Sequence, residues 1–90
     1  MRKRERLQVI YDILKAIGDK NGKIKPTHIL YKSNLSHQMM EEYLKELISG
    51  KFIEETLYNN SKSFVLTQKG FDYLNKYQVI NDFIDSFGLN

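Results

Sequence analysis

Apolar residues recur at helical spacing in the first fifth of the chain. Six of them fall on one helical face: Leu7, Ile10, Tyr11, Ile13, Leu14 and Ile17. The stripe stops at Gly18, so it predicts a core helix of roughly 14 residues. A second helical stripe comprises Met40, Tyr43, Leu44, Leu47 and Ile48, and it ends near Ser49 and Gly50. We expect Gly50 to adopt the left-handed conformation common after a helix.

Between these two stripes lies the segment THILYKSNLS, residues 27–36. Pro26 suits the first turn of a helix and favours extended backbone just before it, so residues 23–25 are predicted to form a short strand. Asn34 indicates a tight turn, and Ser36 is the expected N-cap of the following helix. Two helices joined in this way outline a helix-turn-helix, whose second helix can present its polar N-terminal end to a DNA major groove.

From Phe52 the pattern changes to that of a hairpin. The segments FIEETLY and SFVL are rich in β-branched and aromatic residues and flank the polar tip NNSK. Asn59 and Asn60 tolerate the positive φ angles that tight hairpin loops require. Thr67 is the predicted N-cap of a last helix.

The apolar residues of the last helix allow two interpretations. Phe71 and Leu74 can close the core, whereas a second set alternates spacings of four and three, as a coiled-coil seam does: Tyr73, Tyr77, Ile80, Ile84 and Phe87. Such a seam is costly to leave in water, so we predict that it packs against a second copy. In the alternative, the helix folds back and covers its own core.

Charge is distributed unevenly along the 90 residues. Residues 1–40 contain nine Lys or Arg and three Asp or Glu, whereas residues 41–90 contain five Lys or Arg and eight Asp or Glu. The whole chain has a net charge of +3. A basic half that includes the helix-turn-helix segment favours a polyanionic partner. The length predicts a single compact unit. Within it we expect a domain at residues 1–70 and a dimerisation helix at residues 71–90 that is continuous with this domain.

Other classes of function find little support. The chain has no cysteine and therefore no thiolate metal site, and His28 and His37 lack partners at metal-ligand spacing, although His37 and Glu41 can form a surface pair. No glycine-rich phosphate loop follows a strand, so we predict no enzyme activity, metal or cofactor. No stretch resembles a signal region or membrane span, and we expect a cytoplasmic protein.

Four segments together carry a resemblance to a known family: RKRERLQVIYDIL, THILYKSNLS, MEEYLKEL and FVLTQKG. With them, the chain resembles the small archaeal winged-helix proteins that pair through a C-terminal helix, including the ten-kilodalton archaeal chromatin protein type. The resemblance implies a mainly α fold with a small β-hairpin, that is, a winged helix-turn-helix with a C-terminal dimerisation helix. It also implies a homodimer that binds double-stranded DNA as a transcription regulator or nucleoid component.

Under the DNA hypothesis, the contacts come from the start of the third helix, the turn before it, the wing tip and the basic N-terminus. The predicted residues are Arg2, Lys3, Arg4, Lys32, Ser33, Ser36, His37, Gln38, Asn59, Asn60 and Lys62. Tyr31 and Tyr43 are expected to be core residues.

Three acids on the third helix, Glu41, Glu42 and Glu46, would repel phosphates. They imply that only the first turn of that helix enters a groove. The competing hypothesis is a protein-interaction module that uses the same acidic helix and does not bind DNA.

Overall fold

The computed structural model describes residues 6–88. The elements follow in the order α1 (Arg6–Asp19), α2 (Pro26–Ser33), α3 (His37–Ser49), β1 (Ile53–Tyr58), β2 (Ser61–Leu66) and α4 (Gln68–Ser86). The strands form one antiparallel hairpin. The predicted winged helix-turn-helix architecture is confirmed.

The core lies where α1 meets α2, α4 and the hairpin. α1 buries one full face: Val9, Ile10, Ile13, Leu14, Ala16 and Ile17. Ile29 from α2, Met40 and Leu44 from α3, and Phe64 from β2 are among the residues that pack against it. Among residues 6–88, no helix has the length and apolarity needed to cross a membrane.

The predicted strand at residues 23–25 is wrong. The chain forms a turn there, in which the Lys23 amide donates to the Lys20 carbonyl at 2.6 Å and Gly22 has a φ of 82°. A left-handed residue interrupts extended backbone, and helix α2 begins at Pro26, so too few residues remain for pairing. A hydrogen bond from the Gly22 amide to the Phe64 carbonyl, at 2.9 Å, helps to join this turn to the wing.

The helix-turn-helix forms as its local chemistry predicts. Asn34 ends α2 in the left-handed conformation, with φ 55° and ψ 47°. The Ser36 hydroxyl then accepts a hydrogen bond from the Met39 amide at 3.2 Å and caps α3.

The end of α3 differs from the prediction by one residue. Gly50 has a φ of −82°, and Lys51 is the left-handed residue, with a φ of 68°. The Lys51 amide donates to Ile48 and the Phe52 amide donates to Leu47, at 3.0 and 2.9 Å. This is a Schellman motif shifted one position along the chain, and its two hydrogen bonds hold Lys51 in the unfavourable conformation.

The wing is a tight hairpin. Tyr58 pairs with Ser61, which leaves Asn59 and Asn60 as a two-residue loop. Both have positive φ, at 53° and 63°, as the predicted turn chemistry requires.

Helix α4 starts against the Schellman turn. The Thr67 hydroxyl accepts from the Gly70 amide at 3.2 Å and donates to the Lys51 carbonyl at 2.6 Å. Gly70 passes so close to Phe52 that a Cβ at this position would overlap the Phe52 carbonyl oxygen. The predicted cap is confirmed, and Gly70 is explained by this close approach.

Two residues of the predicted dimer seam pack inside their own chain instead. The Tyr73 hydroxyl donates to the Leu7 carbonyl at 2.7 Å, and the Tyr77 ring stacks on Tyr11 at a centroid distance of 4.8 Å. In the single chain, this half of α4 therefore packs against its own core, as in the alternative interpretation. Phe71, which we expected in the core, is 41% exposed. It comes directly after the buried Gly70, and consecutive residues of a helix point in different directions, so the Phe71 side chain points away from the packed face.

The two tyrosines of the helix-turn-helix have different surroundings. Tyr43 is half-buried against the core, as expected. Tyr31 is 87% exposed, and its assignment to the core is wrong. α2 turns Ile29 and Ser33 inward, which leaves Tyr31 on the outer side of this short helix.

Candidate nucleic-acid interface

The start of α3 presents polar residues to solvent. Ser36, His37 and Gln38 are all exposed, and the chain reversal at Asn34 places them at the surface. The first amides of a helix lack internal partners and carry the positive end of its dipole, so this turn is suited to a phosphate.

Each acid on α3 has a nearby partner. The Arg6 guanidinium lies 2.6 Å from Glu46 and 5.5 Å from the centroid of the Tyr43 ring. The hydrogen bond with Glu46 raises the pKa of the Arg6 guanidinium. This pair draws Glu46 toward α1 and offsets its charge.

The other two acids remain on the outer surface of α3. His37 lies 3.8 Å from Glu41, the predicted surface pair, and the Gln38 amide donates to Glu42 at 3.4 Å. Glu41 and Glu42 lie one turn beyond the first turn of the helix. Their negative charges disfavour a phosphate along the middle of α3 but leave its N-terminal end accessible.

The wing adjoins α3. Lys62 forms an ion pair with Glu55 across the hairpin, at 3.1 Å. The same lysine and Lys45 of α3 line a groove of about 190 Å³ between the helix and the wing, together with Glu41, Glu55 and Phe64. Lys45 was not among the predicted contacts, although its position opposite the buried face of α3 could have identified it.

The residues predicted in the turn before α3 do not join this surface. Ser33 is completely buried, and its hydroxyl donates to the Ile29 carbonyl at 2.6 Å, so it is removed from the interface. Its spacing of four from Ile29 already placed it on the inner face of α2. Lys32 lies beside α1, where it lines a cavity with Asp12 and Asp19. Arg2, Lys3 and Arg4 lie outside the described residues.

A second basic surface, which sequence reasoning missed, lies between α1 and α2. Six residues line a cavity of about 410 Å³: Lys20, Lys23, Lys25, Thr27, His28 and Tyr31. We call this surface the lysine cleft. The lysine spacing in KNGKIK was a visible signal, but the assignment of residues 23–25 to a strand obscured it.

The second half of α4 carries an uncovered apolar stripe. Val79, Ile80, Phe83 and Phe87 are between 57% and 66% exposed, and Ile84 is half-buried. Val79, Phe83 and Phe87 are spaced by four, and Ile80 and Ile84 lie beside them at the same spacing, so the five residues share one broad face. Ile80, Ile84 and Phe87 belong to the predicted seam, whereas Val79 and Phe83 were missed.

The titratable residues give no sign of a metal centre. Within residues 6–88, no three His, Asp or Glu side chains are grouped as a metal ion would require.

Comparison with known proteins supports the same architecture. A winged helix-turn-helix family profile matches residues 3–85. Two uncharacterized proteins of Methanocaldococcus jannaschii are similar, one 33% identical over 78 residues and the other 37% identical over 68 residues. The matches cover 87% and 76% of this chain but only 34% and 64% of those relatives, so the chain spans part of their length.

Solved structures share the fold at low sequence identity. Sso10a-2, a DNA-binding protein from Sulfolobus solfataricus, superimposes with a TM-score of 0.77 at 17% identity, covering 93% of this chain and 85% of that one. SSV1 F-93 gives a TM-score of 0.72 at 20% identity, with coverages of 96% and 97%. At these identities the likeness establishes the fold.

Proposed function

The chain belongs to the winged helix-turn-helix family, and on that premise we propose that it binds duplex DNA as a homodimeric regulator or nucleoid component. The observation that carries the proposal is the exposed N-terminal turn of α3 beside a wing that bears Lys62. The similarity to Sso10a-2, described as a DNA-binding protein, supports it.

In the proposed complex, only the first turn of α3 enters the major groove. The amides near Ser36 face a phosphate, and Gln38 reaches a base edge, where a side-chain amide can form two hydrogen bonds with adenine. Glu41 and Glu42 stay outside the groove because they lie farther along the helix. Their negative charges limit how far α3 enters the groove.

The wing and the N-terminus hold the flanking backbone in this proposal. Asn59 and Asn60 form the wing tip, and Lys62 lies near it with its ammonium already oriented by Glu55. Arg2, Lys3 and Arg4 add charge that contributes to affinity but carries no sequence information.

The homodimer in this proposal uses the second half of α4. Its contact surface differs from the predicted seam: Tyr73 and Tyr77 are engaged with α1, and the stripe of Val79, Ile80, Phe83 and Phe87 replaces them. An uncovered row of large apolar side chains on a small domain favours a protein partner, and a second copy offers a matching row.

Fluorescence anisotropy of a random-sequence duplex, titrated with the protein at several salt concentrations, tests DNA binding. We expect log affinity to fall linearly with log salt, because phosphate contacts release counterions. The absence of binding at low salt would overturn the proposal. The acidic surface of Glu41 and Glu42 would then favour the protein-interaction module.

A matched pair of double variants tests the chosen surface. Gln38→Ala with Lys62→Ala removes one base contact and one phosphate contact, and a base contact alone contributes about 1–3 kcal/mol. We therefore expect affinity to fall about tenfold or more. Gln68→Ala with Lys76→Ala removes the same residue types from α4 and should leave affinity nearly unchanged. Equal affinities for the two variants would refute this surface.

A further inference from the structure

The lysine cleft concentrates positive charge without a balancing acid. Its lining includes three lysines, at positions 20, 23 and 25, and contains no Asp or Glu. The preceding acid in the chain, Asp19, is paired with Lys15 at 2.9 Å. Three ammonium groups around one cavity repel each other, and an anion placed among them relieves that repulsion.

The backbone that carries these lysines is anchored to the wing. The Gly22 amide donates to the Phe64 carbonyl at 2.9 Å, and the Asn21 side-chain oxygen accepts from the Leu66 amide at 3.0 Å. Both partners lie in β2. The loop therefore has a defined position relative to the wing, which reduces the entropy cost of placing its charges around a ligand.

Hydroxyl groups complete the set of donors in the cleft. Thr27 and Tyr31 both line it, and Tyr31 is 87% exposed. An exposed tyrosine on the outer side of α2 contributes nothing to the core, but its hydroxyl can donate to a phosphate oxygen.

The cleft is continuous with the proposed DNA surface. Lys25 also lines a cavity of about 240 Å³ that reaches Asn59 and Lys62 of the wing. Lys62 in turn lines the groove that contains Lys45 of α3. Lysines thus lie along a path from the α1–α2 loop across the wing to α3, where Glu41 and Glu55 line the same groove.

We propose that the lysine cleft binds phosphate groups of the DNA backbone and extends the contact beyond the wing. This inference rests on the proposed function, because it assigns an additional part of the same footprint. In this proposal the cleft meets phosphates that flank the recognised base pairs and contributes affinity without sequence preference.

Two double variants with equal loss of charge test the cleft. Lys23→Gln with Lys25→Gln removes two cleft charges. Lys51→Gln with Lys76→Gln removes two exposed charges from the opposite end of the hairpin and from α4. Each neutralised phosphate contributes about 0.9 to the magnitude of the slope of log affinity against log salt. The cleft variant should therefore make the slope less steep by up to about 1.8. The second variant should reproduce the wild-type slope.

The outcomes separate the cleft from the function on which it rests. If the wild type does not bind duplex at low salt, the proposed function fails and the cleft proposal fails with it. If the wild type binds and the two variants give equal slopes, DNA binding stands and the cleft proposal is overturned. Thermal unfolding should place both variants close to the wild type, because the four lysines are exposed.

A titration with pyrophosphate distinguishes DNA from a small phosphorylated ligand. We expect amide resonances of residues 20–31 to shift on addition of duplex and to shift only weakly with pyrophosphate. Saturable pyrophosphate binding at the cleft, together with an unchanged salt slope in the Lys23→Gln, Lys25→Gln variant, would overturn the assignment to DNA.

Discussion

The apolar stripe on α4 makes a quantitative prediction about association. Replacing Ile80 and Phe83 by Glu should convert the proposed homodimer to a monomer. In the single chain these side chains are 57% and 62% exposed, so pairing would bury more than half of each. Both positions are already open to solvent, and the fold of the single chain should tolerate the change.

The magnitude follows from the exposed fractions. Full burial of an Ile or Phe side chain contributes about 1.5–3 kcal/mol, so these partly exposed ones would each contribute about 1–2 kcal/mol on pairing. Two copies supply four such side chains, which gives about 4–8 kcal/mol, or roughly three to six orders of magnitude in the dimer dissociation constant. The introduced carboxylates would weaken association further, because they would face each other across the interface.

Sedimentation equilibrium over a range of protein concentrations measures the effect. The matched control is Gln68→Glu with Asn75→Glu, which adds the same charge to exposed polar positions in the first half of α4. We expect the control to remain dimeric and the Ile80→Glu, Phe83→Glu variant to be monomeric with an unchanged circular dichroism spectrum. A wild type that stays monomeric, or a variant that sediments like the control, would refute the interpretation of the stripe.

Three further changes test the packing and the caps. Gly70→Ala should lower the free energy of unfolding by about 1–3 kcal/mol in a denaturant titration, because the new methyl group would overlap the Phe52 carbonyl oxygen. Ser36→Ala should cost about 1 kcal/mol by the same measurement, because α3 loses its cap. Burial raises the pKa of Tyr73 to about 12. The contribution of Tyr73 to the free energy of unfolding should therefore be complete below pH 10 and be lost between pH 10 and 12, as the hydroxyl that donates to Leu7 ionises. Tyr73→Phe should remove this pH dependence.

The Gly70 and Tyr73 predictions each have an informative control. Gly18→Ala places a methyl group against the flexible end of the Leu66 side chain, 3.0 Å away, and should be less harmful. If Gly70→Ala instead stabilises the protein, helix propensity outweighs the close approach and the steric argument fails. Tyr31→Phe removes an exposed hydroxyl and should leave the loss of stability above pH 10 intact.

Local chemistry made much of the fold predictable. The Ser36 and Thr67 caps, the left-handed Asn34 and the Asn59–Asn60 loop each depend on a side chain and the backbone within a few residues of it. Such interactions are encoded by short sequence patterns, and the structure confirms them.

Long-range packing explains the errors. The partner of Tyr73 is Leu7, 66 positions earlier, and nothing in the spacing of α4 distinguishes that contact from a contact with a second chain. The lysine cleft was missed for a related reason, because its loop is positioned by β2, far along the sequence. Ser33 is different: its spacing from Ile29 indicated burial, and its polar character outweighed that signal. The individual DNA contacts stay predictions.

The junction at Lys51 restricts the spacing of the two DNA half-sites that a pair of these chains could bind. Thr67 bonds to the Lys51 carbonyl at 2.6 Å, and Lys69 donates to the Gly50 carbonyl at 2.8 Å, so the start of α4 is fastened to the last turn of α3. Two chains joined through α4 would then hold their α3 helices at a set separation. Since B-DNA turns once in about 10–10.5 base pairs, five base pairs inserted between two half-sites would carry one of them to the opposite side of the duplex, where the second α3 could not follow.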